Sequence, residues 1–271
     1  MKPAPAVVSP AGHTGTWDPE VYLRFAAYRA RPAEDLLPRL ALDVPGSIYD
    51  LGCGPGNLTR TLQERWPDRR IVGVDSSREM LDGARKRFGQ TGIDWRAGDI
   101  AAWRADAPAA LVFSNAALHW VADHAVLFPR LMGEVASGGL LAIQIPVTGQ
   151  AKYQQCIRAV KSSPRWRERL AGVEPHDDAH PAGFYYDLIA PLARDIDVWE
   201  TDYHHVLGGP HPVTDWMRGT GLVPMLSVLN PEEQAEFLAD YNAATDAVYP
   251  RQVDGRVLFT MRRLFLVAKR A

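Results

Sequence analysis

Asp50-Leu51-Gly52-Cys53-Gly54-Pro55-Gly56-Asn57 decides the fold. It follows a strand-forming run, Ser47–Leu51, and leads into an amphipathic stretch from Asn57 to Trp66 that Pro67 stops. Glycines at such a turn let the backbone bend tightly and approach a ligand with no Cβ in the way. The helix behind them offers unpaired N–H groups and a positive dipole end. The next strand-like run, Ile71–Asp75, closes on an acid 19 residues after Gly56, where a carboxylate can accept from both hydroxyls of a ribose.

The alternation continues outward from this turn. The pattern predicts a helix over Ser77–Phe88, strands at Ile93–Ala97 and Ala109–Ser114, and a helix over Ala125–Ala136 ended by Ser137-Gly138-Gly139. An apolar strand at Leu140–Ile145 stops at Pro146. Five strands with intervening helices predict an α/β, doubly wound, mostly parallel sheet with its ligand at the carboxyl ends of the strands. Upstream, Asp18 and Pro19 open one helix and Pro32 starts a second. Downstream the pattern gives a helix at Lys152–Lys161, a polar loop, and a strand at Ile196–Val206. Helical stretches at Trp216–Gly219 and Pro231–Tyr249 and a closing strand at Leu264–Ala268 complete it. The expected organisation is a tail over 1–16 and one domain over 17–271. That domain divides into an N-terminal helical cap (17–45), a ligand-binding core (46–146), an insertion with a strand and helices that caps the sheet (147–260) and a last strand (261–271).

Composition excludes several classes. The chain has 271 residues and a net charge of -2, from 30 Lys+Arg against 32 Asp+Glu. That balance argues against a general nucleic-acid binder. No apolar run approaches the ~18 residues needed to span a bilayer, and Met1–Gly15 reads as neither a secretory nor a transit signal. Cys53 and Cys156 make no disulfide framework and no thiolate metal site. A cytoplasmic protein is expected. His176-Asp177-Asp178 with His180 has metal-ligand chemistry, but its spacing fits no helix face and prolines bracket it, so no metal site is expected.

The turn is not a dinucleotide fingerprint, since Asn57 stands where the third glycine of G-x-G-x-x-G would be, and no G-K-[ST] makes it a P-loop. It resembles the first motif of class I S-adenosylmethionine-dependent methyltransferases, which implies a seven-stranded Rossmann-like sheet and that cofactor. The resemblance puts Asp50, Gly52, Gly54, Gly56 and Asn57 against the methionine end of the cofactor. It puts Asp75 on the ribose with Ser76 and Met80 beside it, Asp99 and Ile100 at the adenine, and Asn115 near the methyl group. Further stretches are similar to the trans-aconitate methyltransferase family nearly end to end. These are Trp17-Asp18-Pro19, Val21-Tyr22-Leu23, Arg29-Ala30-Arg31-Pro32, Arg65-Trp66-Pro67, Gly73-Val74-Asp75-Ser76-Ser77, Leu127-Phe128-Pro129, Tyr185-Tyr186-Asp187 and Arg263-Leu264-Phe265. The departures are His119, where the family usually has Gln, Val147-Thr148-Gly149-Gln150 after Gln144-Ile145-Pro146, and the stretch from Arg165 to Ala182.

That resemblance implies methyl-ester formation on a small carboxylic acid, with no nucleic-acid or membrane partner. A carboxylate is already nucleophilic at neutral pH, so alignment and fixed cations matter more than a base. Arg29, Arg31 and Arg263 are the candidate cations. Trp17, Tyr22, Tyr185, Tyr203 and His205 are expected around the acceptor, with His119 and Trp120 at the reacting centre. Two other readings stay open: a secondary-metabolite O-, N- or C-acceptor, for which His119 would serve as base, and a non-catalytic cofactor-binding protein. The residues do not give the oligomeric state.

Overall fold

The strand signals and the spacing of the crossovers produce one sheet. The computed structural model describes residues 26–173 and 179–271. Its strands are β1 (Ile48–Leu51), β2 (Ile71–Asp75), β3 (Asp94–Ala97), β4 (Ala109–Asn115), β5 (Val135–Val147), β6 (Ala193–Leu207) and β7 (Val257–Arg270), in the order β3-β2-β1-β4-β5-β7-β6. β1 to β5 run parallel, and β7 is antiparallel to both β5 and β6. The order reverses between β1 and β4, which opens a crevice at their carboxyl ends.

The helices are α1 (Ala26–Leu36), α2 (Asn57–Arg65), α3 (Arg78–Phe88), α4 (His124–Gly133), α5 (Lys152–Lys161), α6 (Ala182–Ile189), α7 (Pro212–Met217), α8 (Val223–Leu226) and α9 (Pro231–Val248). Alternation along the strands sorts them into layers. One sheet face, with Phe113, Ala142 and Phe265, packs on Leu36, Leu62 and Leu81 of α1, α2 and α3. The opposite face, with Val112, Ile143, Leu264 and Leu266, packs on Phe128 of α4 and Ile189 of α6. A third core joins α5, α7, α8 and α9 to Phe259 and Met261 of β7. β5 stops pairing at Val147↔Arg262, while β6 and β7 pair on to Leu207↔Val257. This overhanging ribbon lifts the sheet face with Tyr203 and His205 up to the helical cap.

Several expectations need correction. Pro32 lies inside α1 rather than at a helix start. It forfeits only the bond to the Tyr28 carbonyl, and burial of Ala33 and Leu36 holds the helix together. The helix expected to reach Ala136 ends at Gly133, and Ser137-Gly138-Gly139 lies within β5. There Gly138 (φ +78) takes up a register shift against β4. The helix expected at Trp216–Gly219 is α7, which starts at Pro212. The polar loop expected before the sixth strand contains α6. β7 is 14 residues long, because Arg262 and Arg263 continue the alternation as exposed and buried positions. The tail over 1–16, the helix expected at Asp18 and His176-Asp177-Asp178 lie outside the described residues.

Tyr185 is also corrected. It sits on α6 with no exposed surface, in the core on the sheet face opposite Tyr203 and Arg263. Its hydroxyl lies 2.8 Å from His124 Nδ1 and accepts from the His180 amide at 2.9 Å. Its apolar ring packs 4.5 Å from Phe128, so burial there wins over exposure in a pocket. Tyr185→Phe should therefore lower unfolding free energy by about 1–3 kcal/mol in urea titrations, with ligand affinities unchanged. An intact stability with weakened ligand binding would return Tyr185 to the site.

Candidate functional site

Three glycines in left-handed conformations build the turn after β1: Gly52 (φ +76), Gly54 (φ +52) and Gly56 (φ +83). A Cβ on Gly52 would lie 2.1 Å from Ala117 Cβ, and one on Gly56 would lie 2.4 Å from the Trp95 ring. The Gly52 and Cys53 amides donate to the Val74 carbonyl at 2.8 and 3.0 Å. At the apex, among the described residues, nothing lies within 4 Å of where a Gly54 Cβ would point. The Gly54 amide donates to Asp75 Oδ2 at 2.8 Å, and the Ser77 amide donates to Asp75 Oδ1 at 2.8 Å. A carboxylate has about four acceptor positions, so each Asp75 oxygen keeps one for a ligand hydroxyl. Gly56 is the N-cap of α2 and supplies no side chain, so no N-cap side chain satisfies the first-turn amides of that helix.

Asp50 lies beneath the turn, 2 % exposed, and accepts from Thr59 Oγ1 at 2.6 Å. Burial, opposed by the Thr59 bond and reinforced by the nearby Asp75 charge, pushes its carboxyl up to about 7. Burial also pushes the Cys53 thiol far up, so it is an inert packed group. The Asn57 side chain turns outward and accepts from Arg87 at 2.8 Å, so only its backbone faces the turn. Ser77 caps α3 through the Met80 amide at 3.2 Å; Met80 is half-buried and Ser76 exposed. Past β3, Asp99 is exposed and accepts from the Ala101 amide at 2.9 Å, while Ile100 lies against Gly52. Arg130 of α4 pins this stretch through the carbonyls of Ile100 and Trp103 at 2.7 and 2.6 Å.

β4 ends at Asn115, and Ala116 follows with φ +54, an uncommon conformation for alanine. Its amide donates to the Gln144 carbonyl at 2.9 Å. This reversal seats Ala117 on Gly52 and presents the single turn Leu118–Trp120. His119 is half-buried with its ring 4.9 Å from that of Trp120, which is 38 % exposed.

The second half of the site follows from strand register. Asn115, Gln144 and Phe265 sit side by side on β4, β5 and β7, and the next rung carries Pro146, Arg263 and Thr201. Tyr203 and His205 follow on the same face. Arg263 is 7 % exposed, with Nη2 3.6 Å from Met261 Sδ. The Tyr203 hydroxyl donates to Asp35 Oδ2 at 2.5 Å, and burial and that carboxylate raise its pKa. Its ring is a wall, therefore, and its proton is committed. Arg31 on α1 has its guanidinium carbon 5.3 Å from the Tyr203 ring centre. His205 is 1 % exposed between Tyr28 and Trp216, with ring centres at 5.2 and 4.6 Å. Its neighbour His204 points outward to Thr260 Oγ1 at 2.8 Å, as alternation requires.

The structure thus brings together the glycine turn, Asp75, Ile100 and Asn115 at one crevice, and Arg31, Tyr203, His205 and Arg263 on the adjoining face. Trp17, Tyr22 and the Arg29 side chain lie outside the described residues. Gln144, which carried no role in the sequence reading, is the buried polar residue that joins the two halves. Among the described residues, no group of three His, Cys, Asp or Glu could hold a metal, and no helix is long and apolar enough to cross a membrane. The open turn apex, the uncapped helix and the spare capacity of Asp75 fit an adenosyl amino acid.

Comparison with known proteins agrees. Residues 48–139 match the methyltransferase domain family. The chain is 45% identical over 255 residues to a trans-aconitate 2-methyltransferase of Azoarcus sp. (strain BH72), covering 94% of this chain and 99% of that one. It is 46% identical over 266 residues to the enzyme of that name from Streptomyces coelicolor, covering 94% and 87%. A solved geranyl diphosphate C-methyltransferase from S. coelicolor, bound to S-adenosyl-L-homocysteine, shares the fold with a TM-score of 0.53 and 16% identity, covering 93% of this chain and 86% of that one.

The Asp50 environment generates a prediction. Its folded pKa is raised from 3.8 to about 7, so across that window the folded state holds a proton that the unfolded chain releases. Stability of the ligand-free protein must then fall as pH rises through the window and level off above it. Asp50→Asn should remove this part of the slope, so urea titrations should show the variant gaining on the parent up to about pH 7. Parallel curves would mean that Asp50 ionises freely.

Proposed function

The chain belongs to the trans-aconitate 2-methyltransferase family of S-adenosylmethionine-dependent enzymes, and from that premise we propose that it esterifies one carboxylate of a small polycarboxylic acid of the trans-aconitate type. The observation that carries this reading is the buried Arg263 guanidinium, held on the sheet face beside the cofactor crevice in a chain related along most of its length to enzymes of that name. The planar fork of a guanidinium suits a carboxylate, which it can meet through two parallel N–H donors.

In this reading the uncapped start of α2 receives the carboxylate of the cofactor's amino-acid end. Asp75 accepts from the ribose hydroxyls, and Asp99 with Ile100 borders the adenine. Asp50 supports the turn from below through Thr59. When bound, the cofactor supplies a methyl group on a positive sulfur that departs as a neutral thioether. The acceptor oxygen is already anionic at neutral pH, so no proton needs to move. Arg263, with Arg31 at the rim, holds the remaining carboxylates. Tyr203, His205 and Trp120 wall the pocket and exclude water. His119 lines it without serving as a base.

With methyl-labelled S-adenosylmethionine and trans-aconitate, the protein should form an alkali-labile methyl ester, at a rate that is flat between about pH 6.5 and 8.5 because the acceptor is ionised throughout. Arg263→Gln should raise the acceptor KM by about tenfold or more. Absence of product would overturn the acceptor class. A rate that follows an imidazole titration would favour an alcohol or amine acceptor, with His119 as base.

A further inference from the structure

Gln144 is fully buried in the central strand β5, and among the described residues neither its Oε1 nor its Nε2 has a hydrogen-bond partner. Its neighbour on β4, Asn115, has a buried Oδ1 that also lacks one among those residues. A buried amide with both ends unmade is costly, and methionine or leucine of similar volume would remove that cost. Toward the sheet interior its neighbours on this face are apolar: Phe113, Ala142 and Phe265. The two side chains stand at the carboxyl ends of adjacent parallel strands. On one side is the turn that seats Ala117 on Gly52, and on the other is the rung of Arg263.

The chemistry of the orphan atoms defines what satisfies them. Carbonyl oxygens on two register partners can share one donor with several N–H groups, such as an ammonium. The Gln144 NH2 requires an acceptor, such as a carboxylate. We infer that Gln144 bridges the two substrates: Oε1, with Asn115 Oδ1, takes the ammonium of the cofactor's amino-acid end, and Nε2 donates to the acceptor's reacting carboxylate. This rests on the acceptor class proposed above. The bridge makes Gln144 a positioning residue that couples the two binding events, since each ligand fixes the amide for the other. Such coupling is reciprocal.

Calorimetry with S-adenosylhomocysteine and trans-aconitate tests the bridge without turnover, because the thioether has no methyl group to give. In the parent chain each ligand should tighten the other by about fivefold or more. 5′-Methylthioadenosine, which lacks the amino-acid end, should show no coupling, and this arm needs no variant. Gln144→Met should reduce the coupling to within about twofold and weaken S-adenosylhomocysteine but not 5′-methylthioadenosine, with a Tm equal to or above that of the parent. Parent-like coupling in Gln144→Met, or equal coupling with 5′-methylthioadenosine, would overturn the bridge alone. If trans-aconitate fails to bind the parent chain, the bridge and the acceptor class fall together.

Discussion

The main-chain turn from Gly52 to Gly56 is the constraint on which the site depends. It must leave β1, reverse, and enter α2 while spending its amides correctly. Gly52 and Cys53 give theirs to Val74, and Gly54 gives its own to Asp75. Close packing then leaves no freedom: Ala117 fills the space at Gly52, and Trp95 fills it at Gly56. Of the three turn glycines, Gly54 at the apex is the one with open space beside it among the described residues. The same carboxylate that ties down the apex is the one available for ribose hydroxyls, so shaping the turn and presenting the ligand group are one act. The positive φ of Ala116 belongs to this arrangement, because it carries Ala117 onto Gly52.

Acceptor-side chemistry follows from a second constraint, the period of two along a strand. Arg262 and Arg263 are adjacent and of the same type. Arg262 points to solvent and pairs with Asp202 through contacts of 2.8 and 2.9 Å, while Arg263 is buried. His204 and His205 divide in the same way. Because β6 and β7 outrun β5, the buried members of these pairs gather beyond the sheet edge, beneath α1 and the helical cap. Cation, amide and aromatic walls are thereby collected from strands far apart in sequence.

This division explains what could be read beforehand. The glycine turn and Asp75 were legible because their meaning is local: strand, turn, helix, strand and acid follow one another within 26 residues, from Asp50 to Asp75. The seven-stranded sheet followed from the same alternation, helped by the family resemblance. Gln144 was not legible, since its significance comes from lying level with Asn115 and one rung from Arg263. That register is set by three strands spread between Ala109 and Arg270. Tyr185 misled because aromatic residues serve pockets and cores alike, and only the face of α6 decides between them. That Asn57 offers the turn its backbone was not legible either, because the side chain's partner, Arg87, lies 30 residues on.

The central claim is that the turn and Asp75 together hold an adenosyl amino acid. Calorimetric titration of S-adenosylhomocysteine into the native chain and into Asp75→Asn tests it most directly. Two charge-assisted hydrogen bonds weakened together should cost roughly tenfold to a hundredfold in affinity, while an analogue without ribose hydroxyls should lose less. Equal affinity of S-adenosylhomocysteine for the two proteins, or no binding to either, would contradict the account.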